Sequence, residues 1–161
     1  MASKSQYVMI GIGFVVAAII AIIFMAGSLT GGTQVNPLSS YIPQERRENV
    51  VNGIIGVQAG GYQAYPFFAP SGSTNVSVKG SFEASGGSGN DIRVFIVDSQ
   101  SFTNWKNGHQ VSTYYNSGQL TTDTLNESIP TGEQMYLVFD NSFSTFTDKQ
   151  VRTTIDLIYT N

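Results

Sequence analysis

Cysteine is missing from this 161-residue chain, so disulfide staples, thiolate metal sites and thiol nucleophiles are excluded together. Histidine occurs once, at His109, which rules out a multi-histidine metal site within one chain and leaves a triad built on that residue only formally constructible. Charge is scarce: Asp, Glu, Lys and Arg make up 12% of the residues, about half the usual globular share. The eight Lys and Arg residues are scattered and the formal net charge is -3, so the basic stripe of a nucleic-acid binder is absent and no nucleic-acid partner is expected. The methionines, at positions 1, 9, 25 and 135, are too dispersed for a copper site, and no cofactor is expected. Gly, Ser, Thr, Asn and Tyr fill the space that Lys and Glu normally occupy, as in many secreted β domains. An extracytoplasmic domain without disulfides relies on packing and backbone hydrogen bonds, which suits a prokaryotic envelope.

What the chain does have is one long apolar run. Tyr7 to Ala26 (YVMIGIGFVVAAIIAIIFMA) is twenty residues without a charge, and a helix of that length spans roughly 30 Å, the thickness of a bilayer core. Lys4 precedes it and no charge follows until Glu45, Arg46 and Arg47. The positive-inside rule therefore places residues 1–6 in the cytoplasm and everything beyond 26 outside a cell membrane, as a single-pass protein with the lipid bilayer as its first partner. A cleaved signal peptide is the rival reading, because Ala26 and Ser28 are small residues at a suitable spacing. Against it, the apolar stretch exceeds the roughly 7–15 residues of a typical signal-peptide core. A pilin-like filament subunit is a third, although ASKSQYV lacks the charged residue followed by Gly or Ala of archaeal prepilin processing sites. Gly13, Ala17 and Ala21 recur every four residues and so share one helix face, the small-residue spacing that lets a second transmembrane helix approach closely. The same spacing also arises from the ordinary abundance of Gly and Ala in membrane spans.

Gly27 to Gln44 is rich in Gly, Ser, Thr and Pro and reads as a stalk. The ERRE cluster at Glu45 to Glu48 reads as a solvated turn before the first strand, so the stalk is assigned to 27–49 and a globular domain to 50–161. Within that domain, short β-branched and aromatic runs alternate with turn clusters. The strands expected are Val50–Val57, Gly61–Ala69, Asn75–Ala84, Ile92–Asp98, Gln110–Tyr115, Thr121–Ile129, Gln134–Asp140 and Gln150–Tyr159. Alternation is clearest in the third, with Val76, Val78 and Phe82 on one face, and in the last, with Val151, Thr153, Ile155, Leu157 and Tyr159 on one face. Turns are expected at Ala59-Gly60-Gly61, Pro70-Ser71-Gly72, Ser85 to Asn90, Asn107-Gly108, Asn116-Ser117-Gly118 and Pro130-Thr131-Gly132. The fold class is all-β: an eight-stranded antiparallel jelly-roll-like sandwich preceded by one transmembrane α-helix.

Four segments carry a family resemblance: GGSGNDIRVFIVD (Gly86–Asp98), NWKNGH (Asn104–His109), YYNSG (Tyr114–Gly118) and YLVFDNSFS (Tyr136–Ser144), with Lys149 following. From Val50 onward the chain resembles a group of secreted and membrane-tethered prokaryotic domains, many from ammonia-oxidising archaea, loosely similar to the GOLD domain of the emp24 proteins. The resemblance covers about two-thirds of the chain and implies a sandwich used for binding or assembly. The eukaryotic members carry a C-terminal span, a coiled coil and paired cysteines, whereas this chain has an N-terminal span, no heptads and no cysteine. Cargo-receptor function is therefore not implied.

Trp105, Tyr114 and Tyr115 flank a polar loop containing Asn107 and His109, and an aromatic ring beside amide side chains is how many sandwiches stack against a sugar. This is the expected ligand site; the competing role for Trp105 is to cap the core, and for His109 to order the Asn107-Gly108 turn. Asp91, Asp98, Asp140, Asn141 and Asp148 sit at strand ends where carboxylates from neighbouring loops can converge on Ca²⁺, but no spacing matches a dedicated calcium loop, and Asp and Asn favour turns for their own reasons. Asn75-Val76-Ser77 and Asn126-Glu127-Ser128 fit the N-glycosylation pattern. No acid, base and nucleophile cluster stands out. The function expected is a non-enzymatic, membrane-anchored envelope protein that binds a protein or a glycan. The alternatives are an accessory subunit of a membrane complex docked through Gly13, Ala17 and Ala21, and the pilin-like subunit.

Overall fold

The computed structural model describes residues 42–87 and 89–161. The expected membrane helix over 7–26, its Gly13, Ala17 and Ala21 face and most of the stalk lie outside those residues, and among the described residues no helix is long and apolar enough to cross a membrane. The described elements are β1 (Glu45–Val57), β2 (Tyr62–Phe68), β3 (Thr74–Ser85), β4 (Ile92–Asp98), α1 (Ser99–Lys106), β5 (Tyr115–Leu120), β6 (Thr122–Ser128), β7 (Gln134–Asp140) and β8 (Lys149–Thr160). The strands form two four-stranded sheets, ordered β1-β8-β3-β6 and β2-β7-β4-β5, with every pairing antiparallel.

Period-two alternation decides which side chains fill the space between the sheets. Val76, Val78 and Phe82 of β3 and Val151, Ile155, Leu157 and Tyr159 of β8 are buried, while Lys79, Ser81, Arg152 and Thr154 face outward. Ile92, Val94 and Ile96 of β4 and Met135, Leu137 and Phe139 of β7 meet them from the second sheet. Full burial of each such side chain contributes about 1.5–3 kcal/mol. Between Val78 and Phe82 the inward position is Gly80, and a Cβ there would meet the Thr154 carbonyl oxygen and lie 2.7 Å from the Ile155 Cα. Glycine is required because β3 and β8 approach too closely for any side chain at that point.

The central strands of the second sheet, IRVFIVD and QMYLVFD, are buried on both faces, which is why they read as continuous apolar runs. Their outward residues Phe95, Val97 and Val138 form a second cluster with Phe102 of α1, and Trp105, Val111, Tyr136 and Ala64 pack on it. Helix α1 and the chain after it thus roof the outer face of this sheet.

β4 and β7 have the expected bounds. Three expectations are corrected. Of the strand assigned to Gln110–Tyr115, residues 110–114 are irregular chain, and β5 begins at Tyr115. The Asn116-Ser117-Gly118 turn signature lies inside β5, where the register with β4 shifts between Arg93 and Phe95; Gly118 takes φ +66 and its N–H donates to Asn116 Oδ1 at 3.0 Å. A bulge satisfies the same backbone demands as a turn, so the two share one sequence signature. The ERRE cluster is not a turn but the first part of β1, pairing with the end of β8. Arg47 donates to Asp156 at 3.0 Å, and Tyr159 donates to Glu48. Helix α1, which the aromatic and polar spacing disguised as a loop, was not expected.

Candidate functional site

Asp98 starts the site by stopping β4 and capping α1: its carboxylate accepts from the Ser101 N–H at 2.7 Å and from the Ser101 hydroxyl at 2.9 Å. The Ser101 backbone bond leads in holding the Asp98 carboxyl below the usual carboxylate range, against the smaller upward push of burial. At the other end of α1, the Asn107 N–H bonds the Asn104 carbonyl, and Gly108, at φ +80, donates to the Trp105 carbonyl at 2.9 Å. The His109 N–H returns to Asn104 at 3.1 Å. This glycine-terminated cap reverses the chain immediately after Trp105 and brings His109 and Gln110 beside the indole.

Trp105 is half-buried. Its ring lies edge-on to Tyr62 and to Phe95, both at 4.9 Å between centroids, and 6.0 Å from Phe102, which in turn stacks on Tyr136 at 4.2 Å. Edge-to-face and offset packing of this kind holds the indole in one orientation. Two open clefts flank it. The larger, about 630 Å³, is lined by Arg93, Phe95, Trp105, His109, Gln110, Val111, Ser112, Thr113 and Asn116. The smaller, about 460 Å³, is lined by Gly60, Tyr62, Trp105, Lys106, Gly108, His109, Gln110 and Ser142. Trp105, His109 and Gln110 belong to both. The arrangement offers an aromatic wall with amide, hydroxyl and cationic groups around it, the combination that fits a polar ring compound with one apolar face.

Arg93 is anchored from below. Its Nε donates to Asp140 Oδ2 at 2.9 Å, its Nη2 donates to the same oxygen, and Asp140 Oδ1 accepts from the Ser142 N–H at 2.8 Å. The carboxylate is fully buried, so the pair fixes the guanidinium over the Phe95 ring, 5.6 Å from its centroid.

Of the residues expected at a ligand site, Trp105 and His109 are brought together at the clefts. Asn107 is the exposed helix cap, outside both linings. Tyr114 is exposed near Asp98 and Glu133, and its hydroxyl is pushed up by burial and then by those two charges. Tyr115 packs against the inter-sheet core and donates to Asp123 at 2.6 Å; burial first, then that bond, raise its pKa far above the ordinary tyrosine value. It is a structural tyrosine. The sequence reading missed Arg93, Phe95, Tyr62, Gln110 and Asn116. Arg93 and Phe95 sit in an apolar run that reads as core, and only their alternation with Val94 marks the outer face.

The acidic residues do not converge. Asp91 pairs with buried Lys149 at 3.0 Å, Asp98 caps α1, Asp140 holds Arg93, and Asp148 accepts from the Ala59 N–H at 2.8 Å. Buried Asn141 donates from Nδ2 to the carbonyls of Val57, Gln58 and Thr147 at 2.9–3.2 Å. Among the described residues no three His, Asp or Glu side chains gather as a metal site would require. Asn75 and Asn126 are both exposed. No protein-family model matches the chain, and no curated protein matches it in sequence.

Proposed function

We propose that the chain is a non-enzymatic envelope protein, tethered by a helix over 7–26 with its N-terminus cytoplasmic, whose extracytoplasmic sandwich binds a glycan through the clefts around Trp105. One observation carries this reading: a rigidly packed indole divides two open clefts on the face roofed by α1, each with amide and hydroxyl groups beside the aromatic wall. Position agrees with it. The chain enters the domain at Glu45 beside Thr160, while Gly60 and Ser142 of the smaller cleft lie past the far end of β1, roughly 40 Å away for a 13-residue strand. That cleft therefore lies at the opposite end of β1 from Glu45. The strand order, 1-8-3-6 over 2-7-4-5, supports reading the sandwich as a jelly roll. Kinship with the GOLD-like archaeal domains rests on the four quoted segments. Their central strands and their buried Asp140, Asn141 and Lys149 hold the domain together, so that kinship speaks to fold more than to ligand.

Glycan-array binding by the detergent-solubilised chain tests the reading. Binding is expected for the wild type and is expected to be lost in Trp105→Ala, which also removes packing against Tyr62, Phe95 and Phe102. His109→Ala with Gln110→Ala leaves that cluster intact and is expected to weaken binding without lowering thermal stability. No binding to any sugar would overturn it. A second reading, an accessory subunit docked through Gly13, Ala17 and Ala21, draws on the spacing of those residues. Its distinguishing result is a co-purifying membrane partner lost in Ala17→Leu but retained in Trp105→Ala.

A further inference from the structure

Acidic residues outnumber basic ones in this chain by 11 to 8, yet the two clefts beside Trp105 are lined by no carboxylate at all. Arg93 lines the larger and Lys106 the smaller, with His109 common to both. Other surface depressions of the domain differ: one contains Asp98 and Glu133, and two contain Glu83 beside Arg152. Asp140, which pairs with Arg93, is fully buried and makes no direct contact with a ligand; its charge offsets that of Arg93, which therefore offers donors rather than a free positive charge. Its two bonds use Nε and Nη2 of Arg93, which leaves the Nη1 donors of a side chain 36% exposed. Lys106 has no carboxylate within ion-pairing distance among the described residues; its ammonium sits 4.9 Å from the Phe102 ring centroid, pinned to the aromatic roof.

We propose that the two clefts are adjoining subsites for an acidic oligosaccharide of at least two sugars, carrying carboxylate or sulfate groups, with Trp105 between them. This rests on the glycan reading above and adds its charge. Lys106 supplies the ionic contact in the smaller subsite and the outer edge of Arg93 supplies donors in the larger. Gln110 and Ser112 stand beside Trp105 as hydrogen-bonding groups for sugar hydroxyls. A ring that stacks on the indole can place an anionic substituent against Lys106 on one side or against the outer Arg93 donors on the other. Charge-assisted contacts of this kind favour an acidic sugar over its neutral counterpart.

Calorimetric titration of the 161-residue chain in detergent tests this with three oligosaccharide sets of matched length: uronic-acid, sulfated and neutral. The acidic sets are expected to bind about tenfold or more tighter than the neutral one, with affinity falling as ionic strength rises. Lys106→Gln, a change at an exposed side chain, is expected to weaken acidic binding more than neutral binding and to flatten its dependence on ionic strength. Preference for the uronic-acid or for the sulfated set identifies which anion the subsites take. Equal affinity for neutral and acidic sets, or an acidic preference undiminished in Lys106→Gln, overturns the charge assignment while leaving the glycan site standing. No binding to any set overturns both.

Discussion

Asn141 shows how much one side chain can hold. Its single amide nitrogen serves three carbonyls from two loops, tying the β1–β2 turn to the chain leaving β7, while Oδ1 has no hydrogen-bond partner among the described residues. Asn141→Asp keeps the shape but turns a donor into an acceptor facing three other acceptors. It is expected to cost roughly 2–4 kcal/mol at neutral pH, since buried unpaired groups are expensive. A carboxyl buried among carbonyls has its pKa raised, so the folded variant binds more protons than the unfolded chain. The defect should therefore shrink as pH falls toward 4, which denaturant melts of wild type and variant across pH 4–7 would show. Asp98 behaves in the opposite sense. Its folded pKa is lowered, so its contribution to stability is present above the ordinary carboxylate range and is lost as pH falls through the lowered value. Asp98→Asn caps without titrating, and the acid-dependent part of the wild-type melt attributable to this cap is expected to disappear in it. Asp98→Ala is expected to cost about 1 kcal/mol at pH 7.

At the scale of elements, Gly80 sets the spacing of β3 and β8. Gly80→Ala forces a methyl group against the Thr154 carbonyl and the Ile155 backbone and is expected to destabilise by about 2 kcal/mol or more, whereas Gly53→Ala, with no atom within 4 Å of the added Cβ, pays only for its backbone angle and should cost less. Chemical denaturation midpoints of the two variants check the order. The strands that alternate cleanly, β3 and β8, or run apolar on both faces, β4 and β7, were legible in the sequence because burial dictates their residues directly. What was illegible had competing local signals. Asn116 to Gly118 carries a turn signature that the chain satisfies as a bulge, and Glu45 to Glu48 carries charges that an edge strand tolerates by pairing them with Asp156 and Tyr159. Helix α1 is eight residues long, too short for periodicity to announce it. Its Asp98 cap and the Phe102/Trp105 spacing were the available signs. That helix carries half the site, so Trp105 and His109 were found by residue type while Arg93 and Phe95, facing them from β4, were read as core.

For the whole molecule, the absence of cysteine makes topology directly measurable. A single introduced thiol at Thr124, exposed on β6, is expected to react with a membrane-impermeant maleimide on intact cells, and one at Ser5 only after lysis. The reverse pattern would put the sandwich on the cytoplasmic side and remove the basis for an envelope ligand. The same economy applies to the site. Trp105 is the chain's one tryptophan, so intrinsic indole fluorescence reports the ridge between the two clefts and nothing else. Titrating the solubilised chain with acidic oligosaccharides is therefore the most direct measurement of whether this face binds sugar. A saturable shift in Trp105 emission, moved to higher ligand concentration in the His109→Ala, Gln110→Ala variant, is the result the account predicts. An emission spectrum unchanged by acidic and neutral oligosaccharides alike would contradict it.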